Sequence, residues 1–163
     1  MAPVKQQKGG RPVRSCIKAA SPIGRRQGTE DFPFTLKIWA LAHQIPPGHV
    51  STYTDIAQAI GKPKGLRAVG HALARNPLLE VIPCHRVLTT AGRIGGYGGS
   101  KTDPKRLQRK RELLASEGVH FDPDGICRVP KWHDFKDTTP QQLRELQHRV
   151  DQAAAKTTAQ DRD

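Results

Sequence analysis

Residues 51–76, STYTDIAQAIGKPKGLRAVGHALARN, constrain the fold more than any other stretch of the 163-residue chain. Ile56, Ala57 and Ile60 fall at helical spacing behind Ser51 or Thr52, either of which suits a helix N-cap, and Gly61 stops the pattern. The turn GKPKG breaks the helix, and Leu66, Val69, Ala72 and Leu73 then predict another helix with its own inward face. Two short helices joined by a tight turn read as a helix-turn-helix. The second carries Arg67, Ala68, Gly70, Ala72 and Arg75. Small residues mixed with cations let a helix backbone approach DNA closely while charge reaches the phosphates. Small residues serve helix packing equally well, so the pattern alone leaves both uses open.

The charge balance favours the DNA reading. Lys plus Arg number 27 against 15 Asp plus Glu, a formal net charge of +12, which suits polyanionic partners: nucleic acid first, an anionic membrane second. No apolar run of about eighteen residues occurs, and the start MAPVKQQKGGRPVRSC has cations without the apolar segment of a signal peptide, so a soluble intracellular protein with no membrane partner is expected. Lys5, Lys8, Arg11, Arg14, Lys18, Arg25 and Arg26 make residues 1–30 the most charge-dense region, and its Gly, Pro and Gln content predicts a disordered basic arm. Such an arm fits phosphate contacts, a nuclear import signal or a solubilising tail. Cys16, Cys84 and Cys127 are too scattered for a disulfide framework, and no metal site is expected, because Cys84 and His85 are neighbours rather than ligands at metal-binding spacing.

The remaining segments fill out one domain over 31–136 and a tail over 137–163. PFTLKIWALAHQI predicts a helix with Leu36, Trp39, Ala40 and His43 on its inward stripe. RVLTTAGRIGGY, with Val87, Leu88 and Ile94 around TTAG, predicts a small hairpin or wing. DPKRLQRKRELLASEG predicts a helix with Leu107, Leu113 and Leu114 inward and its basic residues outward. VHFDPDGICRV reads as two short strands about Asp124 and Gly125. In the tail, Thr139 and Pro140 start a helix with Leu143, Leu146 and Val150 on one face, followed by a frayed end. The fold class is mainly α with small β elements, a winged helix-turn-helix.

A free thiol is only a few per cent ionised at neutral pH, so a nucleophilic cysteine needs a base or a cation beside it. His85 and Arg86 follow Cys84 directly. Neighbours on a helix do not face each other, so a base at His85 would act through water and would need a third group to orient it. An isolated Cys-His pair more often marks a small buried residue beside a surface imidazole. Cys16 and Cys127 keep that reading.

For Cys84 the whole segment decides. IPCHRV resembles the active-site segment of the O6-alkylguanine-DNA alkyltransferases, repair proteins that move an alkyl group from guanine O6 to their own cysteine. The resemblance runs in order from FTLKIWALAHQIPPGHVSTY through GKPKGLRAVGHALARNP and IPCHRVLTTAGRIGGYGG to LLASEG, about residues 32–121. It implies that Cys84 is the alkyl acceptor, His85 the base acting through water, Glu117 the group that orients His85, and Asn76 the brace of the active-site turn. It further implies that Tyr53 crowds the target phosphate, that Arg67 fills the vacated base stack, and that Ala68, Gly70, Ala72, Arg75 and Arg86 lie along the DNA. Pro83, Val87, Tyr97 and Gly98 would bind the extruded base, Gly98 standing where many members have a serine. The implied partner is double-stranded DNA containing O6-alkylguanine, met in the minor groove by a monomer without a cofactor, in the nucleus or, in a prokaryote, the cytoplasm. Members of the family carry a sizeable N-terminal domain where this chain has about thirty residues. In size and in VHFDPDGICRVPKWHDF the chain is also similar to the alkyltransferase-like proteins, which have tryptophan for the cysteine and flag alkylated bases to excision-repair proteins. This chain keeps Cys84, His85, Glu117 and GGYGG.

Overall fold

Thr52 sets the start of the central helix pair. In the computed structural model, which describes residues 32–160, the Thr52 hydroxyl accepts from the Asp55 amide at 3.2 Å while the Asp55 carboxylate accepts from the Thr52 amide at 3.0 Å. This reciprocal cap opens α2 (Tyr53–Ala59). Gly61, at φ +73°, takes the chain out of the helix, and the Lys62 amide closes on the Ala57 carbonyl at 2.8 Å. The turn then delivers α3 (Leu66–Ala74), with Val69, Ala72 and Leu73 buried. Leu66, expected inward, is 38% exposed, because it sits in the first turn of α3, on the side of an open cleft.

Preceding this pair, α1 (Phe34–His43) buries Leu36, Ile38, Trp39, Ala40, Leu41 and Ala42. The buried face is wider than the expected stripe because α3 packs on one side and α5 (Pro140–Gln160) on another. His43 is exposed rather than inward, its Nδ1 meeting the Val81 carbonyl at the helix end. Trp39 Nε1 donates to the Ala72 carbonyl at 2.8 Å, locking α1 to α3. The α5 start matches its sequence signals: Thr139 and Gln142 cap each other, Leu143 and Leu146 are buried in the α1 core, and Val150 packs partly buried against it. The helix continues to Gln160 where a frayed end was expected.

Two strands of two residues place the cysteine segment. A 3-10 turn at Cys84–Arg86 leads into β2 (Val87–Leu88), which pairs in parallel with β1 (Ser51–Thr52), Ser51 opposite Val87 and Thr52 opposite Leu88. The expected hairpin is therefore not a strand pair. Its turn exists, Gly92 N donating to the Thr89 carbonyl at 2.8 Å, but β2 finds its partner beside the start of α2. Asp124 and Gly125 likewise turn the chain with a single bridge, Phe121 to Cys127, in place of two strands. Cys127 is buried with Val50, Leu88, Leu114 and Val119 in a second apolar cluster.

Asp103 caps α4 (Pro104–Ser116) by accepting from the Lys105 amide at 2.9 Å. Leu114 is fully buried and Leu107 and Leu113 partly so. The outward placement of every basic residue fails at Lys110, which is 0% exposed. Positions 107, 110 and 114 share one helical face, so the register that turns Leu107 and Leu114 inward carries Lys110 with them. The basic arm and Cys16 lie outside the described residues. No described helix is long and apolar enough to cross a membrane.

Candidate active site

Pro83 ends the approach to the 3-10 turn, where the Cys84 amide donates to the Ile82 carbonyl at 2.7 Å. Asn76, at the exit of α3, shapes that approach twice: its Nδ2 donates to the Ile82 carbonyl at 3.0 Å and its Oδ1 accepts from the Leu78 amide at 2.9 Å. Cys84 is 6% exposed, and its exposed edge lines a cleft of about 810 Å3 shared with Tyr53, Arg67, Gly70, Tyr97 and Gly98. A base with a substituent fits a space of that size.

His85 and Glu117 meet as Nε2 to Oε1 at 2.9 Å. Arg86 donates to the same carboxylate through Nε at 2.9 Å and Nη2 at 2.7 Å, and its Nη1 donates to the Ile45 carbonyl at 2.6 Å. Burial alone would raise the Glu117 pKa, but the Arg86 and His85 hydrogen bonds outweigh it and hold the group at about 2. Glu117 is thus ionised and accepts only, so the Nε2 proton of His85 belongs to this bond. Nδ1 is left as the lone-pair nitrogen, buried and without a partner among the described protein groups. Burial lowers the His85 pKa, opposed by Glu117 and reinforced by the Arg86 and Lys110 charges, so the ring is neutral at pH 7. A neutral imidazole oriented by a carboxylate is a base able to take a proton.

Burial pushes the Cys84 thiol up, while a hydrogen bond from Asn76 and the charge of Lys110 lower it. The sulfur therefore stays protonated until a base draws the proton off. Tyr53 and Tyr97 also titrate high, through burial first and the nearness of Cys84 second. The glycine loop faces them. At Gly99, φ is +85° and a Cβ would stand 3.2 Å from the Ala74 carbonyl, so the loop approaches α3 too closely for a side chain. A Cβ at Gly98 would lie 3.3 Å from Nη1 of Arg106.

The structure brings Cys84, His85, Glu117 and Asn76 into one group and opens it to Tyr53, Arg67, Gly70, Tyr97 and Gly98. Ala68 and Arg75 are exposed on α3, and a Cβ at Gly70 would meet nothing within 4 Å. Four expected contact residues are placed otherwise. Ala72 is 1% exposed and turns toward Trp39, so it packs helices instead of meeting DNA. Arg86, with its side chain 13% exposed, is consumed by Glu117 and Ile45. Val87 is 0% exposed in β2 and Pro83 is buried behind the turn, so both shape the Cys84 segment from within and neither lines the cleft. Lys110 was missed altogether; its Nζ donates to the carbonyls of Val87 at 2.7 Å and Gly96 at 3.0 Å. Among the described residues no group of three or more His, Cys, Asp or Glu could hold a metal ion.

The family model described as 6-O-methylguanine DNA methyltransferase, DNA binding domain, matches residues 33–119. The constitutive methylated-DNA--protein-cysteine methyltransferase of Bacillus subtilis is 48% identical over 83 residues, 51% of this chain and 50% of its own. That of Saccharolobus islandicus is 42% identical over 100 residues, 60% of each chain. This chain thus spans about half to three-fifths of the length of these curated relatives. A crystal structure of S. pombe ATL in complex with DNA is 31% identical with a TM-score of 0.50, the match covering 61% of this chain and 94% of that one.

Proposed function

The chain belongs to the 6-O-methylguanine DNA methyltransferase family through its DNA-binding domain, and from that premise we propose that it repairs DNA by moving an alkyl group from guanine O6 to Cys84. The observation that carries this reading is the ionised Glu117 holding a neutral His85, next in the chain to Cys84, whose protonated thiol lines an open cleft. In the proposed reaction the thiol proton passes to Nδ1 of His85 through water, and the sulfur attacks the alkyl carbon. The S–C bond forms as the C–O6 bond breaks, its electron pair stays on guanine, and the purine anion takes a proton to become guanine. The thioether at Cys84 is inert, so each molecule acts once.

Guanine O6 faces the major groove inside the stack, so the nucleotide must be extruded at a cost of a few kcal/mol. We assign α3 to the minor groove, where exposed Ala68 and uncovered Gly70 allow close approach and Arg75 reaches phosphate. Arg67, on the rim of the cleft, is placed to enter the gap left by the base, with Tyr53 beside the target phosphate and Tyr97 and Gly98 over the extruded base.

Intact-protein mass spectrometry after incubation with a duplex holding one O6-methylguanine tests the proposal. A gain of one methylene, mapped to the Cys84 peptide and absent from Cys84→Ala, is the expected result. A second reading, lesion binding without transfer, is favoured by the coverage of the S. pombe ATL complex, 94% of that chain. Lesion-selective binding with no mass change would establish it and overturn transfer; excision-repair proteins would then be the partners to seek.

A further inference from the structure

The family match ends at residue 119, and the chain beyond it folds back along the site before reaching α5. The Cys127 amide donates to the Gly92 carbonyl at 2.9 Å, the Trp132 amide donates to the Val50 carbonyl at 2.6 Å, and Lys131 bridges in parallel to Val50. The Ser51 hydroxyl donates to the Trp132 carbonyl at 3.0 Å. His133 Nδ1 stands 3.4 Å from Asp55, whose carboxylate caps α2, and the Lys136 amide donates to Gln44 Oε1 at 2.8 Å. These anchors make residues 127–136 a strap, fastened to β1 and to the turn that follows β2.

Lys131 is the cation this strap delivers to the cleft. It is exposed, its Nζ donates to the Thr90 carbonyl at a long 3.4 Å, and among the described residues no carboxylate pairs with it. Arg128, three positions earlier, is held by Asp122 at 2.8 Å. Thr90 lines the cleft with Tyr53, and its hydroxyl shares a hydrogen bond with that of Thr54 at 2.7 Å. An ammonium with one distant carbonyl keeps donors for a further acceptor. At this edge of the cleft, in a chain of net charge +12, phosphate is the acceptor that fits.

We propose that the strap extends the DNA interface: Lys131 binds a phosphate of the target strand, next to the one assigned to Tyr53. The proposal rests on that assignment of Tyr53. A phosphate contact fixes register without reading bases, so it strengthens binding to damaged and undamaged duplexes alike. Its signature is salt dependence, because each neutralised phosphate adds ~0.9 to the slope of log affinity against log salt.

Fluorescence anisotropy with a duplex holding one O6-methylguanine and with its undamaged counterpart, over about 50 to about 300 mM salt, tests the contact. Lys131→Gln is expected to bind both duplexes several-fold more weakly at low salt with the slope reduced by ~0.9, and Lys131→Arg to restore both. Lys156→Gln, at an exposed cation far along α5, is expected to match wild type. A wild-type slope in Lys131→Gln overturns the proposal. So does a loss of affinity by the same factor at every salt concentration, the mark of a merely structural role. Duplexes with a single neutral methylphosphonate linkage locate the contact: wild type should lose the same ~0.9 at one linkage flanking the lesion, and Lys131→Gln should lose nothing more there. Dependence on Lys131 only at linkages remote from the lesion overturns the placement beside Tyr53. Slower alkylation of Cys84 by iodoacetamide in Lys131→Gln than in wild type would show the side chain acting through the fold of the thiol site, and would also overturn the proposal. Wild-type binding without transfer to Cys84 overturns the alkyltransferase reading and leaves the salt slopes to decide the role of Lys131.

Discussion

Replacing Glu117 by Gln removes one charge and little volume, which makes its effect on stability a direct reading of the His85 and Arg86 contacts. In the folded protein the carboxyl pKa lies at about 2 against an ordinary 4.5. At about 1.4 kcal/mol per pH unit this corresponds to ~3 kcal/mol. The side chain is 15% exposed, so solvent screens part of it and about 2 kcal/mol is the working figure. Because the folded pKa is the lower one, the stabilisation is fully present above 4.5 and drains away as pH falls from 4.5 toward 2. The variant leaves the Arg86 guanidinium with the Ile45 carbonyl and a neutral amide oxygen, the costly situation of a half-buried charge without a counter-ion. Urea unfolding at about pH 7 should therefore show Glu117→Gln less stable by about 2 kcal/mol, and the gap should close to within about 0.5 kcal/mol near pH 2. A loss that is the same at both pH values would refute the electrostatic account. So would no loss at pH 7.

Two other substitutions test the packing around the site. Leu146→Ala, at a position 7% exposed against α1, should cost about 2–3 kcal/mol in urea unfolding while leaving the iodoacetamide rate of Cys84 unchanged. A loss below about 1 kcal/mol would mean that α5 does not share the core of α1. Gly99→Ala places a methyl in a left-handed backbone position against the Ala74 carbonyl, so it should cost about 1–3 kcal/mol and slow transfer from the duplex by moving the loop; wild-type stability and rate would count against that close approach.

What the sequence disclosed followed from how local each signal is. The helix pair was legible because Ser51 or Thr52 and Gly61 lie within a few residues of the helix they bound; the structure selects Thr52 and adds Asp55 to the cap. The start of α5 was legible for the same reason, in Thr139 and Pro140, and the structure adds Gln142 to its cap. The strand partner of β2 was not legible because it lies more than thirty positions earlier; TTAG makes its turn whether or not a strand returns from it. Arg86 follows Cys84 in the chain, yet nothing local reveals that its guanidinium turns to a carboxylate 31 positions later. Lys110 was hidden differently. Its spacing to Leu107 and Leu114 was on the page, but residue class outweighed spacing, and class is the weaker guide where backbone carbonyls of two other segments wait for a donor.

Helix α4 emerges from these contacts as the element that sets the charge around the thiol. Its last turn ends at Glu117, which holds His85 and Arg86; its middle supplies Lys110 to β2 and the glycine loop; its first turns carry Arg106 alongside Gly98. The proposed DNA face lies elsewhere, on α3 and the start of α2. Cys84 sits between, on a turn reached by Asn76 from the end of α3 and tied by β1 to the residues just before Tyr53. In the proposed function, recognition and chemistry thus fall to different helices meeting at one short segment. A displacement of α3 by bound DNA would be felt at Cys84 through Asn76, whereas Glu117 at the end of α4 would keep the imidazole oriented, and burial would keep it neutral, whether or not DNA is present.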